Sequence, residues 1–248
     1  MKRLAAAILI FDVVMGLLIL CVYENKQVGN WVNEEQNGPG TQGAQTAVSK
    51  DIRQADGGNV DSTEEKKIAL TFDDGPHPSY TEQLLDGLKE RGVHATFFVT
   101  GEHAKLHPDI IKRMQEEGHL IGNHTYSHIQ LRKNNRDQFR EELILTNKVI
   151  TEITGEEVQY VRPPYGTWDK KFETELNMFP VLWTIDPLDW CSSNADCIAG
   201  KVVEKAQEND IILMHDYYES SVEAALEVVD ELQAKGYTFV TVEEILFD

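Results

Sequence analysis

Short apolar runs alternate with longer amphipathic stretches from about residue 65 to the end of the chain. Seven runs are bounded by turn residues and have the length of buried strands: 68–72, 95–99, 120–121, 160–161, 181–185, 211–214 and 239–242. Five stretches between them carry apolar residues at helical spacing: 80–90, 108–117, 136–154, 195–208 and 222–235. The alternation predicts an α/β fold with about seven parallel strands, which could close into a barrel with its chemistry at the carboxyl ends of the strands.

The first 23 residues have a different pattern. Lys2 and Arg3 precede a run over residues 4–23 that is apolar except for Asp12, and no small-residue cleavage site follows it. Twenty helical residues rise about 30 Å, the thickness of a bilayer core. We therefore expect residues 1–23 to be an uncleaved anchor, with the rest of the chain outside the cell membrane. The alternative is a cleaved secretion signal, which Asp12 favours because a carboxylate inside a membrane is costly.

Residues 24–64 lack apolar periodicity. They carry scattered glycines among Asn, Gln, Ser and Thr, a composition typical of a flexible linker. We therefore expect one folded domain over residues 65–248, joined by this linker to the membrane segment.

The chain is strongly acidic. It has 42 Asp and Glu against 23 Lys and Arg, a formal net charge of -19. A field of this sign repels phosphate backbones, so nucleic acid is excluded as a partner. Three cysteines in 248 residues cannot form a network of disulfides, so the domain must be stabilised by its core. The composition leaves the oligomeric state open.

Titratable side chains follow five of the predicted strands. They are Asp73 and Asp74, His124 and His128, Arg162, Asp186 and Asp189, and His215 with Asp216. In a parallel barrel these positions meet at one face. Two histidines four residues apart and one carboxylate form a three-ligand set of the kind that catalytic zinc uses, with one position left for water.

Adjacent residues at the end of a strand point to opposite sides, so Asp73 and Asp74 should have different roles. One would bind the metal, and the other would take a proton from water that the metal activates. The spacing does not say which is which. His215, on another strand, is placed to donate a proton to a leaving group. The set predicts hydrolysis of an amide or an ester.

Five ordered motifs contain these residues. They are Thr71-Phe72-Asp73-Asp74-Gly75-Pro76, His124-Thr125-Tyr126-Ser127-His128, Arg162-Pro163-Pro164-Tyr165, Asp186-Pro187-Leu188-Asp189-Trp190 and Leu213-Met214-His215. In this order they resemble the motifs of carbohydrate esterase family 4, the polysaccharide deacetylases with a NodB homology domain. The resemblance covers about residues 66–244 and implies a distorted (β/α) barrel with a groove open to polymers.

The resemblance also implies roles for the site residues. Asp73 would be the general base and His215 the general acid. The ligands of one divalent metal ion, zinc or alternatively cobalt, would be Asp74, His124 and His128. Three further residues would support catalysis: Arg162 beside Asp73, Asp189 beside His215, and Tyr165 through a backbone N–H to the oxyanion. The substrate-binding residues would be Trp190, Leu213 and Pro164, of which Trp190 and Leu213 would line a pocket for the acetyl methyl group.

The implied reaction is metal-dependent removal of N-acetyl groups from an extracellular polysaccharide, with release of acetate. Peptidoglycan N-acetylglucosamine is the leading substrate and a chitin-like oligomer the next. The alternatives are an O-acetyl esterase acting on xylan, a small-molecule amidase, and a carbohydrate-binding protein without turnover. Cys191 and Cys197 directly follow the fourth motif, where they would form either a disulfide-closed loop at the groove rim or two thiols.

Overall fold

The computed structural model describes residues 65–247. The predicted anchor over residues 1–23 and the predicted linker over residues 24–64 lie outside this range. Seven strands, β1 to β7 in chain order, are Lys66–Asp73, Thr96–Val99, Leu120–Asn123, Tyr160–Val161, Phe179–Pro180, Ile211–His215 and Tyr237–Val240. Eight α-helices, α1 to α8, are Tyr80–Glu90, Gly101–Leu106, Pro108–Glu116, Arg136–Thr154, Lys171–Leu176, Ala195–Lys205, Glu219–Ala234 and Val242–Phe247. Between residues 65 and 247, no helix is both long and apolar enough to cross a bilayer.

The strands form one parallel sheet. Its order is β5-β4-β3-β2-β1-β6, and β7 pairs with the first half of β1. The sheet curls until the segment after β5 meets β6 through a single bridge between Ile185 and Ile212. This arrangement confirms the predicted fold class, a distorted (β/α) barrel of seven parallel strands.

Strand β1 separates two environments, because its side chains alternate between two faces. Ile68, Leu70 and Phe72 belong to the main hydrophobic core, which they share with apolar residues of the surrounding helices. Thr71 and Asp73 point the other way, and both contact the guanidinium of Arg162. The strand therefore directs Asp73 into the barrel.

The predicted strand over residues 181–185 is wrong. The strand there is β5, which ends at Pro180, and the later pairing is the bridge at Ile185. The carbonyl oxygens of Val181 and Leu182 accept hydrogen bonds from Arg162 at 3.1 and 3.3 Å. These two carbonyl groups are therefore hydrogen-bonded to a buried guanidinium instead of to a neighbouring strand.

Three helices were not predicted. They are α2, α5 and α8, each six residues long, and a stretch of that length is too short for helical periodicity to show. The last strand is also displaced from its predicted position: β7 begins at Tyr237, and Val242 already belongs to α8.

His119, directly before β3, is a buried histidine outside the candidate site. Its Nδ1 accepts a hydrogen bond from the N–H of Ala95 at 3.0 Å, and its ring packs edge-on against Phe97. Burial and the nearby His94 lower the pKa of His119 to about 4. Since the ring of the unfolded chain takes up a proton near pH 6.5, the folded state loses stability as the pH falls from about 6.5 to 4.

We expect the His119→Asn variant, whose amide oxygen can accept the same N–H, to be less sensitive to acid than the parent protein. Between pH 7 and pH 5 the parent should lose about 2 kcal/mol more unfolding free energy than the variant. Urea unfolding at both pH values measures this difference, with His107→Asn as a control. Equal losses in parent and variant would contradict the assignment.

Candidate active site

The polar clusters meet at the carboxyl ends of two pairs of neighbouring strands, β1 with β6 and β3 with β4, between which β2 lies. Asp73 ends β1 and is in register with His215, which ends β6. His124 follows β3, and Arg162 follows β4. The register thus places the carboxylates and imidazoles of distant motifs at one edge of the sheet, as the strand pattern predicts.

Asp74, His124 and His128 form the one three-residue cluster within residues 65–247 that could hold a metal ion. One donor atom from each lies within 4.8 Å of the others. The Nε2 atoms of His124 and His128 are 3.4 and 3.3 Å from Asp74 Oδ1. This Oδ1 is buried without a hydrogen-bond donor among the described residues. Two imidazoles and one such carboxylate fit a divalent cation of the zinc type.

The orientation of His124 and the negative charge of Asp74 also suit ligation. The Nδ1–H of His124 donates to the carbonyl oxygen of Arg162 at 2.6 Å, which turns the lone pair of Nε2 towards Asp74. Burial raises the pKa of Asp74, but the contact with His124 and the charges of His124, His128 and His215 outweigh it. They hold the pKa of that carboxyl well below its usual range. Asp74 is therefore an ionised carboxylate, as a metal ligand must be.

Asp73 is paired with Arg162 inside the barrel. Arg162 Nη1 donates to Asp73 Oδ1 at 2.9 Å and to Thr71 Oγ1 at 2.6 Å. The guanidinium is fully buried and stacks over Phe98, with its carbon 4.3 Å from the ring centroid. The other oxygen of Asp73, Oδ2, lies 3.8 Å from His124 Nε2. One carboxylate oxygen is thus fixed by a cation, and the other faces the metal cluster.

His215 is paired with Asp189 and lies near the second carboxylate oxygen of Asp74, Oδ2. Its Nδ1–H donates to Asp189 Oδ1 at 2.8 Å, and its backbone N–H donates to Oδ2 at 2.8 Å. Burial lowers the pKa of His215, but the hydrogen bond and charge of the fully buried Asp189 outweigh it and raise this pKa to about 9. The Nε2 of His215 is 4.0 Å from Asp74 Oδ2. A protonated imidazole therefore points at the metal cluster.

The remaining predicted residues lie around these pairs. Tyr165, in the turn Pro164–Gly166, is exposed, and its ring is 5.2 Å from that of His128. Trp190 is half-buried in the turn Asp189–Cys191, and Leu213 is buried in β6. Their roles towards the oxyanion and the acetyl methyl group, and that of buried Pro164 towards substrate, stay predictions.

Unusual backbone conformations are concentrated in the site loops. Of the seven non-glycine residues with positive φ between residues 65 and 247, five belong to the motifs: Asp74, Thr125, His128, Tyr165 and Leu188, with φ from 55° to 74°. Positive φ costs free energy in residues with a side chain, and such costs collect at functional sites. The sequence carries no signal for these conformations.

Cys191 and Cys197 form no disulfide. Cys191 ends a short turn, and Cys197 lies in the first turn of α6, with both side chains exposed. The backbone N–H of Cys197 donates to the side chain of Asn194 at 2.8 Å, so a helix cap holds this loop. Of the two alternatives from the sequence, the structure does not show the disulfide-closed loop.

Two contacts to the metal cluster were missed from the sequence. Glu142, on α4, accepts hydrogen bonds from the backbone N–H and the hydroxyl of Ser127, at 2.7 and 2.9 Å. The Nδ1–H of His103 donates to the carbonyl oxygen of Asp74 at 2.7 Å. Both partners are distant in sequence, and nothing in the helical pattern marks either residue.

A third missed contact fixes the loop after β1. The carboxylate of Asp216 is fully buried, accepts the hydroxyl of Thr81, and lies so close to Gly75 that a Cβ there would collide with it. Burial raises the pKa of Asp216 to about 7. Gly75 follows Asp74 directly, so this packing determines where the loop places that candidate metal ligand.

We expect Glu142→Gln to weaken zinc binding about 10-fold, because an amide cannot accept both hydrogen bonds that hold the loop before His128. Isothermal titration with zinc measures the change. The control is Glu141→Gln, a neighbouring exposed position on α4, which should leave the zinc Kd unchanged. Equal Kd values for the two variants would show that Glu142 does not position His128.

Fold and site together define a class: (β/α) barrels with a carboxylate–histidine metal site at the carboxyl ends of the strands. A family model described as polysaccharide deacetylase matches residues 60–181. The peptidoglycan-N-acetylmuramic acid deacetylase PdaC of Bacillus subtilis has a solved structure that is 39% identical, with a TM-score of 0.71 over 74% of this chain and 91% of the solved chain. The chain belongs to the polysaccharide deacetylase family.

Three comparisons bear on how far the similarity extends. A peptidoglycan-N-acetylglucosamine deacetylase of Bacillus cereus is 41% identical over 182 residues, which are 71% of this chain and 66% of that protein. The match to full-length PdaC covers 73% of this chain and 39% of PdaC. A pseudoenzyme of carbohydrate esterase family 4 from Bacillus anthracis is 28% identical, with a TM-score of 0.69 over 74% of this chain and 66% of that chain. The family therefore includes a protein that has the fold but is a pseudoenzyme. Function has to be argued from the site residues and not from the fold alone.

Proposed function

We propose that this protein is a metal-dependent deacetylase that hydrolyses N-acetyl groups of peptidoglycan N-acetylglucosamine and releases acetate. The observation that carries the proposal is the arrangement around Asp74. A carboxylate held by an arginine and an imidazole held by a carboxylate lie beside the same three-residue metal cluster. The names of the Bacillus cereus and Bacillus subtilis relatives support peptidoglycan as the substrate.

A divalent cation held by Asp74, His124 and His128 would polarise the acetyl carbonyl and lower the pKa of water at the site. Asp73, whose Oδ1 is occupied by Arg162, accepts a proton from the attacking water at Oδ2. Arg162 holds this carboxylate in place through its hydrogen bond to Oδ1.

The leaving amine needs a proton, and His215 donates it from Nε2. Asp189 keeps the ring protonated and fixes its orientation through Nδ1. The backbone N–H of Tyr165 donates to the oxygen of the acetyl group as negative charge develops there. Trp190 and Leu213 bind the acetyl methyl group, with Pro164 beside them.

We expect His215→Ala to impair amide hydrolysis far more than hydrolysis of an activated ester. The amine must be protonated to leave, whereas p-nitrophenolate leaves without a proton. The kcat on an N-acetylglucosamine oligomer should fall about 10²–10⁴-fold, and that on p-nitrophenyl acetate less than about 10-fold. Losses of the same size on both substrates would refute the role of His215 as general acid.

A panel of acetylated substrates tests the specificity. Peptidoglycan glycan strands and chitin oligomers carry the acetyl group on nitrogen, whereas acetylated xylan carries it on oxygen. The proposal expects the fastest acetate release from the glycan strands. Preferential release from acetylated xylan would make the protein an O-acetyl esterase.

We also propose that the protein acts outside the cell membrane, anchored by residues 4–23. Lys2 and Arg3 before the apolar run support this orientation. A flexible linker over residues 24–64 would have a root-mean-square reach of about 35 Å, which would confine the enzyme to glycans near the membrane. N-terminal sequencing of the mature protein is the test. Intact Met1 in the membrane fraction would support the anchor, and a chain in the medium that begins between about residues 24 and 40 would indicate a cleaved secretion signal.

A further inference from the structure

A cleft of about 540 Å³ lies beside the candidate site, where the starts of α1 and α7 approach the segment before α6. Its volume is within the range of sites for small ligands, about 300–1,000 Å³. Three tyrosines, two glutamates and two serines line it, and the lining includes neither Lys nor Arg. The aromatic and acidic groups are Tyr80, Tyr217, Tyr218, Glu219 and Glu223.

The aromatic side of the cleft is held in place by ring contacts. His77 stacks on Tyr80, with ring centroids 4.4 Å apart, and meets the edge of Tyr217 at 4.9 Å. Tyr217 also stacks on His103 at 5.3 Å. His103 is the residue that donates to the carbonyl oxygen of Asp74, so the aromatic wall is continuous with the loop of the metal cluster.

These rings are also exposed. The exposed fractions of Tyr217 and Tyr218 are 37% and 44%, so a ligand can reach both residues. Rings held in position before binding lose little conformational entropy when a ligand packs on them. The wall is thus a preorganised surface for the face of a ring-shaped ligand.

The other side of the cleft is negatively charged. Glu219 and Glu223 are one turn apart on α7, so both side chains lie on the same face of the helix, and both are exposed. An ammonium group attracts carboxylates and the faces of aromatic rings, and this lining offers both. A neutral sugar could donate hydrogen bonds from its hydroxyl groups to the two carboxylates, but it would lack the charge attraction that an ammonium group adds.

We propose that this cleft binds a glucosamine unit of the glycan that already has a free ammonium group in place of its N-acetyl group. The inference rests on the proposed function, because removal of the acetyl group leaves a primary amine that takes up a proton at mildly acidic pH. The sugar ring packs on the tyrosines and the ammonium group meets Glu219 and Glu223. A partly deacetylated glycan is therefore bound more tightly than a fully acetylated one.

Equilibrium binding tests the cleft without relying on turnover. Isothermal titration compares a glucosamine tetramer with an N-acetylglucosamine tetramer on the zinc-loaded Asp73→Asn protein, which also carries each variant below, because the parent would hydrolyse the acetylated ligand. We expect the double variant Glu219→Gln/Glu223→Gln to weaken binding of the glucosamine tetramer about 10-fold and to change binding of the acetylated tetramer less than 2-fold. The control is Glu227→Gln, one turn further along α7 and outside the lining, which should change neither Kd.

Two further binding measurements test whether the cleft recognises both the sugar ring and the ammonium group. Tyr218→Leu, which removes one ring and keeps both carboxylates, should also weaken the glucosamine tetramer. A lysine-containing stem peptide of peptidoglycan carries the same ammonium group without a sugar ring, and it should bind at least 10-fold more weakly than the glucosamine tetramer. Tighter binding of the peptide, or an unchanged glucosamine Kd in the double variant, would overturn the proposal. Failure of the proposed function would show differently, as no acetate release by a parent protein that still binds the tetramer.

Discussion

Asp73→Asn should lower the kcat for acetate release about 10²–10⁴-fold while the protein binds zinc as tightly as the parent. The substitution removes the proton acceptor but preserves the shape of the side chain and an oxygen for Arg162, which donates to Asp73 Oδ1 at 2.9 Å. Asp74, the proposed metal ligand, is unchanged. Acetate release from an N-acetylglucosamine oligomer and zinc titration on the same preparation measure both effects.

The matched control is Asp230→Asn, which makes the same chemical change in a surface ion pair with Arg91. Its activity and zinc affinity should equal those of the parent, since exposed ion pairs contribute little. Loss of zinc from Asp73→Asn would show that the two aspartates have the opposite division of labour. Unchanged kcat would show that Asp73 is not the base.

His124→Ala should raise the Kd for zinc by more than about 100-fold and abolish activity, because it removes a ligand rather than a supporting contact, for which losses are roughly 10–100-fold. His124 is buried, so the substitution also leaves a cavity. His128→Ala is therefore the companion variant: this side chain is only partly buried, and it supplies the same kind of donor.

Zinc content by elemental analysis and Kd by titration check both variants, with His107→Ala as a histidine control outside the cluster. The folding of each variant is verified by its circular dichroism spectrum. Stoichiometric zinc at parental affinity in folded His124→Ala and His128→Ala would exclude this cluster as the metal site.

The strands that carry the site could be predicted because parallel strands buried on both faces are short continuous apolar runs. Strands β1, β3, β4 and β6 all have this pattern, and titratable residues follow each of them. The same rule failed after β5, where Val181 and Leu182 are apolar but direct their carbonyl groups to Arg162. A long-range partner decided the conformation there, and local patterns do not show such partners.

In the site as well, local sequence patterns do not show long-range partners, as the two neighbouring aspartates illustrate. Alternation along a strand indicates that Asp73 and Asp74 differ, but not which of them belongs to the candidate metal cluster. Arg162, 89 residues away, and the positive φ of Asp74 determine the arrangement. Glu142 and His103 were missed for the same reason, since each acts through a contact between distant parts of the chain.

The most direct test of the account is acetate release from N-acetylated peptidoglycan glycan strands by protein stripped of metal and then restored with zinc. The arrangement of Asp74, His124 and His128 predicts no release by the stripped protein, recovery with one zinc ion per chain, and no recovery in His124→Ala. Full acetate release by rigorously metal-free protein, or none by the zinc-loaded parent, would contradict it.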